Sequence, residues 1–132
     1  MSRLRRYKKG EDTKLTKNFS STEFDCKCSF PECEWTTLDL DHVDRLQEKR
    51  IKWKKPIKIT SAFRCPRYNK LVGGATQSQH PLGTATDIQV EGKSINVIQK
   101  DCESFDGLGC YDTFTHVDSR GTKARWNFRK KK

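Results

Sequence analysis

The chain has 132 residues, 33% of them hydrophobic and 33% charged, with 27 Lys and Arg against 17 Asp and Glu for a formal charge of +10. A chain of this length suits one domain with a thin core, burying roughly two-thirds of its unfolded surface, and no second domain is expected. The charge favours an anionic polymer as partner, whether nucleic acid, an acidic lipid surface or the phosphate-rich envelope of a bacterium, and composition does not choose among them.

Residues 1–18 are basic and polar and read as a flexible arm. Ser20 with Glu23 matches a capping box, so a short helical turn is expected there. From Leu38 to Trp53 the apolar positions Leu40, Val43, Leu46 and Trp53 recur at near-helical spacing, with Asp39 and Asp41 at the positive end, and Pro56 ends the helix. Ile57 to Ser61 alternates as a strand does. Arg64-Cys65-Pro66 turns into a short helix through Leu71, closed by Gly73-Gly74. A strand at Asp87–Val90, a helix from Ser94 to Cys102 with Ser94 as cap, and strands at Leu108–Cys110 and Phe114–Asp118 follow. The tail from Arg125 to Lys132 is again basic.

This pattern lacks the strict alternation of a doubly wound sheet. It predicts a small α+β domain over residues 19–124, with a mostly antiparallel sheet and flanking helices. No segment approaches the roughly 20 apolar residues of a membrane span, and no apolar stretch follows the basic start. The chain is therefore expected to be made soluble in a cytoplasm, without a signal peptide.

Six cysteines in such a chain point to free thiols or a metal rather than a disulfide framework. Cys26, Cys28 and Cys33 form a C-x-C-x4-C group without a fourth ligand nearby, and Cys65, Cys102 and Cys110 are scattered. Buried thiols, with one late disulfide at most, are the expectation, ahead of a structural zinc.

The three histidines differ in context. His42 lies mid-helix among charges and reads as a solvated surface residue. His80 precedes a Pro-Gly bend that lets it and Asp87 approach one point from opposite sides. His116 lies in a strand where Asp118, two residues on, shares its face. Two imidazoles and a carboxylate suit a zinc ion that keeps one coordination position open.

The string Ser61-Ala-Phe-Arg64-Cys-Pro66-Arg-Tyr68-Asn69, then Val72-Gly-Gly-Ala75, then Ser78-Gln79-His80-Pro-Leu-Gly83-Thr-Ala85-Thr-Asp87-Ile88 closely resembles the murein peptidases. These are the zinc D-alanyl-D-alanine carboxypeptidases and phage L-alanyl-D-glutamate endopeptidases, which share a fold with the hedgehog signalling domain. Phe114-Thr115-His116-Val117-Asp118 matches the family's apolar-His-apolar-Asp strand. The resemblance spans about Phe19 to Arg120. It implies one catalytic Zn2+ held by His80, Asp87 and His116, with Arg64 binding a substrate carboxylate and Ser78 and Gln79 lining the ligand loop. Two departures stand out: Ala62-Phe63 precede Arg64 where members commonly have a small residue and Tyr, and Thr113 stands where several branches place a Glu general base. Asp112 and Asp118 are the nearest carboxylates, with Asp118 the first candidate.

The resemblance implies hydrolysis of stem peptides in bacterial peptidoglycan by a phage-type endolysin or cell-wall peptidase. Such a protein would act after release from the host, as a monomer attracted to anionic envelope polymers. A non-catalytic zinc-bearing module on the same fold is the alternative. A basic nucleic-acid binder, using Trp126 and Phe128 among Arg and Lys, is another, but it leaves the His80–Asp87 string unexplained.

Overall fold

The computed structural model describes residues 3–130. Strands β1 (Leu4–Lys8) and β2 (Trp35–Asp39) form an antiparallel ribbon. The main sheet contains β3 (Lys58–Ser61), β4 (Ala85–Gln89), β5 (Gly107–Cys110), β6 (Thr115–Asp118) and β7 (Ala124–Asn127). Its order is β3-β4-β6-β5-β7, antiparallel throughout except for the parallel β5–β7 pair. Three helices accompany it: α1 (Leu40–Trp53), α2 (Pro66–Leu71) and α3 (Ile95–Asp101). The α+β class with a mostly antiparallel sheet is as the sequence predicts.

Helix α1 starts two residues later than its periodicity suggests, because the Asp39 carboxylate caps it by accepting the N–H of Asp41 at 3.0 Å. Leu38 belongs instead to β2. Ser94 caps α3 by accepting the N–H of Asn96 at 3.2 Å. The helices present Val43, Leu46 and Ile98 to the sheet residues Ile59, Ile88, Leu108 and Val117, and Phe19, Phe24 and Phe105 fill the same core. Alternation along β4 and β6 then turns Asp87, His116 and Asp118 to the other face.

Both basic ends depart from the expected arm and tail. Leu4–Lys8 pairs along the whole of β2, Arg6 and Lys8 stand over the Trp35 ring at 5.0 and 5.9 Å, and Arg3 pairs with Asp41 and Asp44 of α1. A charged strand can occupy an exposed edge when backbone bonds and cation–π contacts hold it, which composition does not reveal. Residues 124–127 likewise complete the main sheet as β7. The outermost residues, 1–2 and 131–132, lie outside the described ones.

His42 is also corrected. It is 2% exposed, with Nδ1 2.8 Å from Ser119 Oγ and Nε2 3.0 Å from Thr86 Oγ1. Its face of α1 packs on the sheet, where two hydroxyls satisfy the ring. Burial lowers its pKa to about 3. Among the described residues, no helix is long and apolar enough to cross a membrane.

Candidate metal centre

His80 begins a 3-10 turn, His80–Leu82, that ends at Gly83. Gly83 adopts φ +78, and a Cβ there would stand 2.4 Å from the Thr37 carbonyl oxygen of β2. Only glycine tolerates both conditions, so the bend before β4 depends on it. The turn holds His80 with its Nδ1 2.7 Å from the Ala62 carbonyl oxygen. A carbonyl can only accept, so Nδ1 carries the hydrogen and Nε2 keeps its lone pair. Nε2 faces Asp87 Oδ1 at 3.4 Å.

Asp87 and His116 are direct cross-strand partners on β4 and β6. His116 Nδ1 lies 3.0 Å from Asp87 Oδ1, and its Nε2 lies 2.8 Å from Asp118 Oδ2. The His80 and His116 rings meet edge-on, with centroids 5.2 Å apart. His80, Asp87 and His116 are all buried, and one ligand atom from each lies within 4.8 Å of the others. Two imidazole nitrogens and a carboxylate oxygen at this spacing can hold one metal ion and leave a position open, as hydrolytic zinc requires.

The titrations reflect the same crowding. Burial pushes the Asp87 carboxyl up, but hydrogen bonds and charge from His116 and His80 outweigh it and hold the group below the usual carboxylate range. Burial pushes His116 down, and Asp118 and Asp87 more than reverse that. Burial raises Asp118, and Arg120 and His116 overcome it, keeping the carboxyl ionised.

Asp118 is fully buried and fully engaged. Besides His116, it accepts from Arg120 Nε at 2.9 Å, Arg120 Nη2 at 2.8 Å and the Arg120 backbone N–H at 3.3 Å. Asp112 lies elsewhere, exposed in the turn before β6. Its carboxylate accepts the Lys130 backbone N–H at 3.3 Å and stands 4.0 Å from Arg129 Nε. The chain thus brings Asp118 to the cluster and turns Asp112 to the C-terminal segment.

Arg64 reaches the cluster from the loop after β3. Its Nε donates to Ser61 Oγ at 3.1 Å, Nη1 donates to Asn69 Oδ1 at 3.1 Å, and Nη2 stands 3.7 Å from Asp87 Oδ2. Ser78 Oγ accepts the His80 N–H at 3.2 Å, and Gln79 Oε1 accepts from Thr84 Oγ1 at 2.9 Å. Both line an open concavity of about 560 Å³ with Asn69, Thr76 and Pro81. A larger hollow of about 920 Å³ contains Ile88, Val90, Ile98 and Thr115, on the sheet face opposite the metal group, and has no part in it.

Trp126 is the site residue that motif reading missed. Its ring lies 5.0 Å from that of His116 and 5.5 Å from the Arg120 guanidinium, and its Nε1 donates to Tyr111 Oη at 2.9 Å. The available signal was Gly107-x-Gly109. A Cβ at Gly107 would lie 2.1 Å from Asp118 Oδ2, and one at Gly109 2.4 Å from the Trp126 ring. Two glycines two apart on a strand mark a face where larger groups press close.

An α+β domain with a buried His-Asp-His group and a neighbouring arginine defines a candidate single-metal hydrolase. The chain belongs to the peptidase M15 family, whose family model matches residues 17–118, most of the chain. It is a metallopeptidase of that family. No curated protein matches it.

Proposed function

We propose that the chain is a zinc-dependent peptidase acting on the stem peptides of bacterial peptidoglycan, of the phage-endolysin kind. The observation that carries this reading is the convergence of His80, Asp87, His116 and Arg64 on one sheet face. His80 Nε2, His116 Nδ1 and the Asp87 carboxylate would hold the ion. When bound, zinc supplies Lewis acidity toward the scissile carbonyl and lowers the pKa of water toward about 7.

The chain's own residues supply orientation. Arg64 is fixed at Nε and Nη1 by Ser61 and Asn69 and presents the rest of its planar fork to a substrate carboxylate. Stem peptides offer such carboxylates at D-Ala and D-Glu. Asp118 holds the Nε2 hydrogen of His116, which keeps Nδ1 turned toward Asp87. Ser78 and Gln79 line the approach. The +10 charge favours encounter with anionic envelope polymers, and the chain acts as a monomer without a specific nucleic-acid partner.

Purified peptidoglycan incubated with the zinc-loaded protein should yield new termini at one stem-peptide bond, read by mass spectrometry of the muropeptides. An unchanged muropeptide profile would favour a non-catalytic zinc-bearing module. One observation speaks for that second reading: Asp118 is saturated by His116 and Arg120, Asp112 is engaged by Arg129 and Lys130, and Thr113 carries no carboxylate.

A further inference from the structure

The ten residues from Asp25 to Glu34 form no helix or strand, yet Cys26 and Cys33 within them are 3% and 9% exposed. Within the segment the backbone bonds are those of Cys33 N–H to Phe30 O and Glu34 N–H to Glu32 O. Further ties come from outside it: the Glu34 carbonyl accepts the Lys9 N–H, the Asp25 carboxylate accepts from Gly10 and Thr36, and Glu32 pairs with Arg67, while Cys26 and Cys33 turn inward.

We propose that Cys26, Cys28, Cys33 and Cys65 bind one zinc ion, a structural centre separate from the His80–Asp87–His116 group. The fourth ligand, absent from the sequence neighbourhood of the first three, arrives on the segment between β3 and α2. All four sulfurs lie within 4.8 Å of one another, and Cys65 Sγ is 3.9 Å from both Cys26 Sγ and Cys28 Sγ. A tetrahedral ion with Zn–S bonds of about 2.3 Å separates its sulfurs by about 3.8 Å, so little rearrangement is needed.

The surroundings suit thiolates. The Cys65 backbone N–H points to Cys26 Sγ at 3.4 Å. The Lys9 ammonium lies 3.4 Å from Cys28 Sγ and 3.0 Å from the Cys28 carbonyl oxygen. Binding would release one proton from each thiol to solvent and leave the four-thiolate centre with a net charge of −2, which Lys9 partly offsets. Phe63, Phe30 and Tyr68 pack around the group as a small apolar cluster of its own. Four sulfurs close the coordination sphere and leave no position for substrate, so the centre is structural.

Its position gives it a consequence. Cys65 follows Arg64 directly and is the N-cap of α2, the helix whose Asn69 holds Arg64 Nη1. Zinc here would staple the Asp25–Glu34 loop to the segment that carries Arg64. This inference does not depend on the peptidase reading.

The test is the metal content of the reduced, full-length protein. The His80→Ala variant should retain one zinc per chain, and the His80→Ala, Cys28→Ser double variant none. Cobalt in the His80→Ala protein should give the intense near-ultraviolet absorption of thiolate-to-cobalt charge transfer. Should a variant fail to fold, titration of the unsubstituted protein with an organomercurial decides: four thiols should react with release of one zinc. A His80→Ala protein without metal, four cysteines that react without releasing zinc, disulfides among them, or iron in place of zinc would each overturn the proposal.

Discussion

His116 lies between two carboxylates, with Nε2 2.8 Å from Asp118 and Nδ1 3.0 Å from Asp87. A metal ion bound beside Asp87 must take Nδ1, and Asp118 then serves the ring from behind. That is the carboxylate–histidine arrangement that fixes a ligand's tautomer and raises its basicity. The near donors of Asp118 are His116 and Arg120, and we propose that it orients the ligand rather than accepts a proton.

Asp118→Asn should therefore weaken zinc binding by about 10- to 100-fold, measured by competition with a chromophoric chelator. Turnover at saturating zinc should fall much less. Asp112→Asn should leave both near wild type. If Asp118→Asn keeps its zinc affinity and loses turnover instead, Asp118 is the proton acceptor and the orienting role is wrong.

Removal of metal should abolish hydrolysis of peptidoglycan, and added zinc should restore it. His80→Ala loses the one imidazole whose Nε2 is held free by the Nδ1 contact to Ala62. Its activity should not return at zinc concentrations that restore the parent protein. Full activity in an extensively chelated sample would remove the metal from the mechanism.

Arg64→Lys tests the guanidinium fork. A lysine keeps the charge but cannot hold Ser61, Asn69 and a substrate carboxylate in one plane. Loss of a charge-assisted hydrogen bond, about 1.5–3 kcal/mol, should lower kcat/KM by about 10- to 100-fold with zinc content unchanged. Unaltered kinetics in Arg64→Ala would show that the side chain merely ends a strand.

His42 predicts a pH dependence of stability. Burial lowers its pKa to about 3 in the fold from the ordinary 6.5 of an exposed imidazole, so the unfolded chain takes up the proton first. Stability from this residue is complete above about pH 6.5 and declines as the pH falls toward 3, by up to about 5 kcal/mol. Denaturant unfolding across this range should give a shallower slope for His42→Gln than for the parent. Equal slopes would mean that folding does not lower the pKa of this ring.

Much of the chain was legible before folding because local rules were sufficient. The period of α1, the Ser94 cap, the Pro66 start of α2 and the alternation along β6 are properties of neighbouring residues, and they place His116 and Asp118 on one face. The string from Ser78 to Asp87 carries the bend at Gly83 in its own residues. Strands β1, β2 and β7 were not legible, since their charged or mixed sequences acquire a face only from their partners. His42 looked solvated because its helix positions are charged, and only packing against the sheet supplied Thr86 and Ser119. Likewise, no spacing rule could unite Cys65 with Cys26, Cys28 and Cys33, or set Trp126 over His116. Those meetings depend on how separate segments dock across the sheet, and that is decided by the burial of the whole core rather than by any stretch of the chain.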